Sequence, residues 1–113
     1  MGKTRDINGL RIDLRAVIYR YQKWWIAHCL ELDLVAEGAT PIDAFRDLME
    51  LSASQVKAAC KMGNLDSIFR SAPPEIWTMF SRARDLPRPG RAITEKRTSG
   101  SVTRFEAREA AFV

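Results

Sequence analysis

The segment between Thr40 and Asn64 carries the signals for one long helix, and this helix constrains the rest of the fold. Thr40 suits the N-cap position, and Pro41 fits the first helical position, where its missing N–H is not needed. Gly63-Asn64 is typical of a left-handed C-terminal cap. Between these ends, residues of one stripe recur at intervals of three and four: Phe45, Leu48, Ser52, Val56, Ala59 and Cys60. A helix with one apolar stripe must pack against another layer.

The residues before this helix predict that layer, a three-stranded antiparallel sheet. Apolar and polar residues alternate over residues 10–21, which predicts the first strand. The second strand is predicted at 24–29, after a two-residue break that suits a hairpin, and the third at 32–37. A short fourth strand is predicted over Leu65–Ser71, and a second helix from Pro73 to about Arg84. The predicted fold class is α+β, in the order β-β-β-α-β-α.

Length and composition allow one small domain. The chain has 113 residues and two cysteines, and no apolar run is longer than four residues. Such runs are too short for a membrane span or a signal-peptide core, so we expect a cytoplasmic protein with no membrane partner. We interpret residues 1–9 as a flexible lead, 10–86 as the folded domain and 87–113 as a basic, largely disordered tail. Within that tail, Phe105–Val113 is a candidate for a short helix.

Charge is distributed unevenly along the chain. The formal net charge is +4 over residues 1–23, −4 over 24–81 and +4 over 82–113. The basic ends favour nucleic acid as a partner, whereas the acidic middle favours a basic protein. Charge alone leaves both partners open.

The sequence predicts no catalytic residue, no metal site and no cofactor. It contains no phosphate-binding loop, no nucleophile elbow and no zinc-type cysteine spacing. His28 and Cys29 are neighbours on a predicted strand, so their side chains should point to opposite faces. Glu31, Asp33 and Glu37 share parity on the third predicted strand, and we interpret them as an acidic rim that binds a partner.

One face of the predicted sheet is unusually apolar. If Ala27 and Cys29 lie under the first helix, the side chains of the neighbouring positions point the other way. We interpret four of these residues as an oligomer interface, which predicts a homodimer or a higher oligomer: Tyr19, Trp24, Ile26 and His28. The alternative is that the second helix or the tail covers this face.

The stretch Trp24–Leu51 resembles the amino-terminal domain of HicB-family antitoxins, which has a partial RNase H-like fold. The resemblance rests on an aromatic-aliphatic strand, an acidic turn, a strand that ends in Glu-Gly, and Thr-Pro at the start of an acidic helix. The matching residues are Ala27, Glu31, Glu37, Gly38, Thr40, Pro41, Ala44 and Leu48. Leu30 and Leu34 replace a proline and a glycine of the family pattern. Residues 87–113 are too few for the DNA-binding domain that usually follows.

The resemblance implies a function in a toxin-antitoxin system. In that family the partner is a HicA-like toxin, a small basic ribonuclease, and the antitoxin inhibits it by covering its catalytic surface. The leading hypothesis is therefore a non-catalytic antitoxin. Two alternatives remain: a nucleic-acid-binding regulatory module that contacts DNA or RNA through its basic tail, and an RNase H-like, metal-dependent nuclease.

Overall fold

A computed structural model describes residues 10–85, 93–98 and 101–110 of the protein. These residues form an α+β fold with a mixed sheet and two α-helices. In chain order the elements are β1 (Leu10–Tyr21), β2 (Trp24–Cys29), β3 (Val35–Gly38), α1 (Pro41–Met62), α2 (Pro74–Arg82), β4 (Arg84–Asp85), β5 (Ile93–Thr98) and β6 (Ser101–Glu109). A one-turn 3-10 helix, Leu65–Ile68, lies between α1 and α2. The predicted flexible lead, residues 1–9, lies outside the described residues.

The sheet has the strand order β3-β2-β1-β6-β4, and β5 also pairs with β6. Antiparallel pairing joins β1 to β2 and β2 to β3, which gives the predicted unit of three strands. The third strand begins at Val35, however, because residues 30–34 form the turn before it. Strand β6 pairs with β1 in parallel, from Leu10 opposite Ser101 to Ile18 opposite Glu109. The sheet is therefore mixed.

Two predictions about the second half of the chain are wrong. The segment Leu65–Ser71 has no strand, because it begins as a 3-10 helix in which the Asn64 carbonyl accepts bonds from the backbone N–H and the hydroxyl of Ser67. The predicted disordered tail instead contributes β5 and β6, and no helix starts at Phe105. Residue 86 of the predicted domain and residues 87–92, 99–100 and 111–113 of the predicted tail lie outside the described residues.

Helix α1 begins and ends as its sequence predicts. The Thr40 hydroxyl accepts a hydrogen bond from the Asp43 backbone N–H at 3.1 Å, and Gly63 adopts the left-handed conformation with φ 71°. Gly38 lets β3 approach the start of this helix closely. A Cβ atom on Gly38 would lie 2.6 Å from the backbone nitrogen of Ala44, so a larger residue would displace the helix.

The two helices pack on opposite faces of the sheet, because alternate residues of β1 contact different helices. Ile12, Leu14, Ala16 and Ile18 belong to the cluster under α1, together with Leu48, Val56 and Phe105. Val17 instead packs with Ile76 and Phe80 of α2, and with Leu30, Ala72 and Ala110. Helix α2 is shorter than the predicted segment from Pro73 to Arg84. Neither helix has the length and apolarity that a membrane span requires within the described part of the chain.

Candidate functional site

The predicted acidic rim does not form one strand face, because Glu31 and Asp33 lie in the turn before β3. The side chain of Glu31 forms its contacts with this protein's own β1. Its carboxylate accepts the Arg15 backbone N–H at 2.7 Å and the Arg15 Nε–H at 2.7 Å, and its side chain is only 17% exposed. Glu31 therefore fixes the turn to β1, and little of its side-chain surface is accessible to a partner.

Asp33 is also engaged within the turn. Its Oδ1 lies 2.7 Å from His28 Nε2, and its backbone has φ 53°. The backbone N–H of Asp33 donates to the Cys29 carbonyl, and Cys29 in turn donates to the Leu34 carbonyl. The two predicted partner-binding acids of the turn thus have internal partners.

Glu37 is the acid of the predicted rim that is exposed. It lies on β3 directly opposite Ile26, and Val35 lies opposite His28. Residues directly opposite each other in an antiparallel pair share a face, so Val35 and Glu37 lie on the face that α2 only partly covers.

The predicted oligomer interface is partly covered by this protein's own residues. His28 is 7% exposed, and Tyr19 packs at the margin of the α2 cluster, where burial raises the pKa of its phenol. Ile26 is half-buried. Trp24, in contrast, is exposed, so the chain covers this face only in part, and the oligomer interface stays a prediction.

A strip of exposed side chains remains on the face of the sheet that α2 partly covers. Tyr21 is 60% exposed, Trp24 41% and Val35 49%. Tyr21 lies opposite Trp24 in the pairing of β1 with β2. Two residues after Trp24 on the same face of β2 is Ile26, which lies opposite Glu37 of β3. The exposed side chains therefore lie on one face of the sheet. We refer to Tyr21, Trp24, Val35 and Glu37 as the β3-edge patch.

The chain on the β3 side of this patch is strongly acidic, whereas Arg20 and Lys23 flank Tyr21 and Trp24. Residues 31–50 contain six acids and one base, Arg46, which gives a formal charge of −5 over 20 residues. Arg46 is paired with Asp43 at 3.0 Å on the first turns of α1. The patch therefore joins exposed apolar side chains to a negative segment, a combination that suits a basic protein partner.

A second feature is a charged cleft of about 360 Å³ on the same face, where β1 and β6 extend beyond α2. It is lined by Asp13, Leu14, Arg15, Glu31, Arg104 and Glu106. Each carboxylate here has an arginine partner: Arg11 for Asp13 at 3.0 Å, Arg15 for Glu31 at 2.7 Å and Arg108 for Glu106 at 3.2 Å.

These pairs bear on the metal-dependent alternative. The hydrogen bond from Arg11 lowers the pKa of Asp13 below its usual value, and the charges of Arg11 and Arg104 act in the same direction. The residues described here contain no group of three or more histidine, cysteine, aspartate or glutamate side chains placed to hold a metal ion. Among the described residues, the cleft is an array of ion pairs between arginines and carboxylates.

The cysteines and the histidine do not form a nucleophilic site together. Cys29 packs in the α1 cluster, and its neighbour His28 faces the other side of the sheet, as strand geometry predicts. Burial raises the pKa of the Cys29 thiol to about 12, so this thiol stays protonated at neutral pH. Cys60 is exposed at the end of α1.

Two basic residues of the predicted tail contact other parts of the fold. Arg108 lies over the Phe80 ring at 4.3 Å and donates to the Phe80 carbonyl, while Arg104 lines the charged cleft. The arginines on this face alternate with carboxylates, so the described part of β6 presents no uninterrupted basic surface for phosphates.

Comparison of the chain with known protein families, with curated proteins and with solved structures finds no match.

The internal ion pairs of this face are what sequence reasoning missed. The sequence pattern of an acidic residue in a turn is the same whether its carboxylate binds a partner protein or an arginine of its own chain. The alternation of Arg11, Asp13 and Arg15 along β1 was the available signal, since charged residues at every second position mark one face of a strand.

Proposed function

We propose that this protein is a non-catalytic antitoxin of HicB-like type, which binds and neutralises a small basic ribonuclease similar to HicA. The β3-edge patch carries this proposal, because it places exposed apolar side chains beside a segment of charge −5. The resemblance of Trp24–Leu51 to the HicB amino-terminal domain, with its partial RNase H-like fold, supports the same function.

Inhibition by coverage requires an interface and no reacting group. The acidic segment would accelerate association with a basic enzyme, because complementary charges steer the encounter of two proteins. Tyr21, Trp24 and Val35 would supply the apolar contact that slows dissociation, and aromatic residues are common in such positions.

The test is co-expression with a small basic ribonuclease of HicA-like type, for which the reading frame adjacent to this gene is the first place to search. The wild-type chain should restore growth and co-purify with the ribonuclease. Glu37→Lys should slow association about threefold to tenfold and weaken its dependence on salt, because it reverses a charge in the patch. Glu31 and Asp33 are unsuitable for charge reversal, because both hold the turn together.

Asp66→Lys is the matched control, with the same charge change on an exposed residue of the 3-10 helix. Helix α1 has 22 residues and spans about 33 Å, with Glu37 just before its start and Asp66 just after its end. Equal effects of both variants would contradict the assignment of the patch. Failure of the wild type to rescue growth or co-purify would contradict the function, and a steep salt slope for binding duplex DNA or RNA would favour the nucleic-acid-binding alternative.

A further inference from the structure

Strand β3 has an open edge. It ends the strand order of the sheet and pairs only with β2 among the described strands. Helix α1 follows two residues after β3 and packs on one face of the sheet, which leaves the edge itself uncovered by a strand. An open edge presents backbone donors and acceptors to any chain that can align with it.

The pairing register identifies which backbone groups face outward. The Cys29 N–H donates to the Leu34 carbonyl at 2.8 Å, so the backbone groups of Leu34 point toward β2. Hydrogen-bonded and non-hydrogen-bonded pairs alternate in an antiparallel ladder. Ala36 and Gly38 therefore also bond to β2, whereas the N–H and carbonyl groups of Val35 and Glu37 point to the open edge.

A short length and the charge of Glu37 are the protection that this edge has against pairing. Natural edge strands are blocked by proline, by lysine or by a bulge, and Val35–Gly38 has none of these. Its short length limits an added strand to the hydrogen bonds of two residues. The side chains that accompany those bonds must therefore supply the selectivity.

The side chains at these two positions select the occupant. Val35 is 49% exposed and Glu37 is exposed, and both lie on the face of the β3-edge patch. An added strand would place an apolar residue beside Val35 and, two residues along, a lysine or arginine beside Glu37. A second copy of this chain would instead bring two segments of charge −5 together, so charge favours a basic strand.

We propose that the open edge of β3 binds an extended, basic segment of a partner protein as an added strand, through the backbone groups of Val35 and Glu37. The mode of binding is β-strand addition, in which backbone hydrogen bonds give affinity and alternate side chains give specificity. The proposal rests on the proposed function, because it describes how the basic partner docks.

The first test uses a probe peptide and the full chain. The peptide is acetyl-Thr-Lys-Thr-Val-Thr-Lys-Thr-amide, with controls in which glutamate replaces lysine or in which alternate backbone nitrogens are methylated. The basic peptide at saturation should slow amide hydrogen exchange of Val35 and Glu37 about tenfold and leave Ala36 and Gly38 unchanged, because the latter are already bonded. The acidic and the N-methylated peptides should give no such slowing.

The second test separates the backbone bond from the charge. Glu37→Pro removes both the carboxylate and the outward N–H, whereas Glu37→Gln removes only the charge. A proline whose missing N–H faces an open edge is compatible with a strand, so thermal unfolding should stay cooperative. Affinity for the basic peptide should fall about threefold for Glu37→Gln and at least tenfold for Glu37→Pro.

Each contrary result has a distinct meaning. Equal affinities of the two variants, or binding of the N-methylated peptide as tight as the parent, would overturn strand addition even if the ribonuclease co-purifies and is inhibited. Absence of peptide binding would also overturn it. If sedimentation shows a dimer of the chain alone that Glu37→Pro abolishes, the edge binds a second copy and the proposed partner is wrong. The proposed function fails separately, through the rescue and co-purification test.

Discussion

Helices α1 and α2 lie on opposite faces of one sheet, but α1 has 22 residues and α2 has nine. Under α1, the side chains of Leu14, Ala16 and Phe105 are at most 2% exposed. On the other face α2 covers Val17 and Leu30 and then ends. This second face therefore has three parts: a small core, the charged cleft and the β3-edge patch.

The difference separates a face that provides most of the buried core from a face on which the proposed binding surface lies. The α1 face provides a larger apolar core and offers no open apolar surface among the strand residues that it covers. The α2 face exposes side chains that a stable core would bury, including Trp24 and Val35. Substitutions on the two faces should therefore have different consequences, and the three predictions that follow test this contrast.

The largest expected effect is on the α1 face, at Phe105. Its ring is fully buried and packs edge to face against Phe45 at a centroid distance of 5.6 Å. Phe105→Ala should lower the free energy of unfolding by about 3–5 kcal/mol, because it removes a large side chain and leaves a cavity. Urea denaturation followed by circular dichroism measures this change.

Arg104→Ala is the control for this prediction, because Arg104 precedes Phe105 on β6 but lines the cleft on the other face. It should change stability by no more than about 0.5 kcal/mol. Equal losses for the two variants would show that the two faces of β6 do not differ in the way described.

An intermediate effect is expected at Glu31. Glu31→Gln should destabilise the fold by about 1–2 kcal/mol, because the neutral amide cannot accept from both Arg15 donors. Solvent screening at Arg15, whose side chain is 46% exposed, keeps the effect below that of a buried pair. The same denaturation experiment measures it at low and at high salt.

Asp13→Asn is the matched control, since the side chains of Arg11 and Asp13 are 52% and 61% exposed. It should alter stability by less than about 0.5 kcal/mol at neutral pH. Because the pKa of Asp13 is lowered in the folded state, its small contribution is present at neutral pH and is lost as the pH falls into the acidic range. A loss at Asp13 as large as that at Glu31 would contradict the distinction between the two pairs.

The smallest effect on stability is expected in the β3-edge patch. Val35→Thr should change the free energy of unfolding by less than about 0.5 kcal/mol, because half of the side chain is already in water. If the chain forms the predicted homodimer through this patch, light scattering should show that the variant dimer dissociates at a higher concentration than the wild-type dimer, because a weaker dimer has a larger dissociation constant.

Val17→Thr provides the comparison on the same face, because Val17 is fully buried under α2. The same substitution there should destabilise the protein by about 1–3 kcal/mol, since it buries a hydroxyl in an apolar cluster. A Val35→Thr variant that is as unstable as Val17→Thr would show that the patch belongs to the core.

Local signals in the sequence predict α1, β1 and β2 correctly, because their determinants lie within the elements themselves. Thr40 and Gly63 cap the helix through bonds to residues at most four positions away. The alternation in β1 likewise needs no knowledge of its partners. The antiparallel pairing of β1 with β2 follows from a loop of two residues.

The sequence does not predict β6, because its partner in the sheet is distant in the chain. Each residue of β6 pairs with a residue of β1 that is 91 positions earlier. Thr103, Phe105 and Ala107 alternate with charged residues, which is a strand pattern, and Ser99-Gly100 is a common hairpin dipeptide. The richness of this region in proline, glycine and serine favoured disorder over that pattern.

The candidate site is predicted in part. Glu37 and Trp24 lie on the exposed surface, whereas Glu31 is bonded to Arg15 of β1, and Asp33 is bonded to His28. Composition indicates an acidic region, but it does not show which carboxylates have partners. That information depends on the approach of Arg15 and His28, which only the folded backbone provides.

The parallel pairing of β1 with β6 also has a consequence for synthesis on the ribosome. Strands β1, β2 and β3 and helix α1 emerge first, and during that time the side of β1 that will receive β6 has no partner. Translation at about 5–20 residues per second leaves this edge unpaired for several seconds before residues 101–109 follow. The nascent chain thus passes through a stage in which β1 is open to other chains, and slow translation of the segment between α1 and β6 would prolong that exposure.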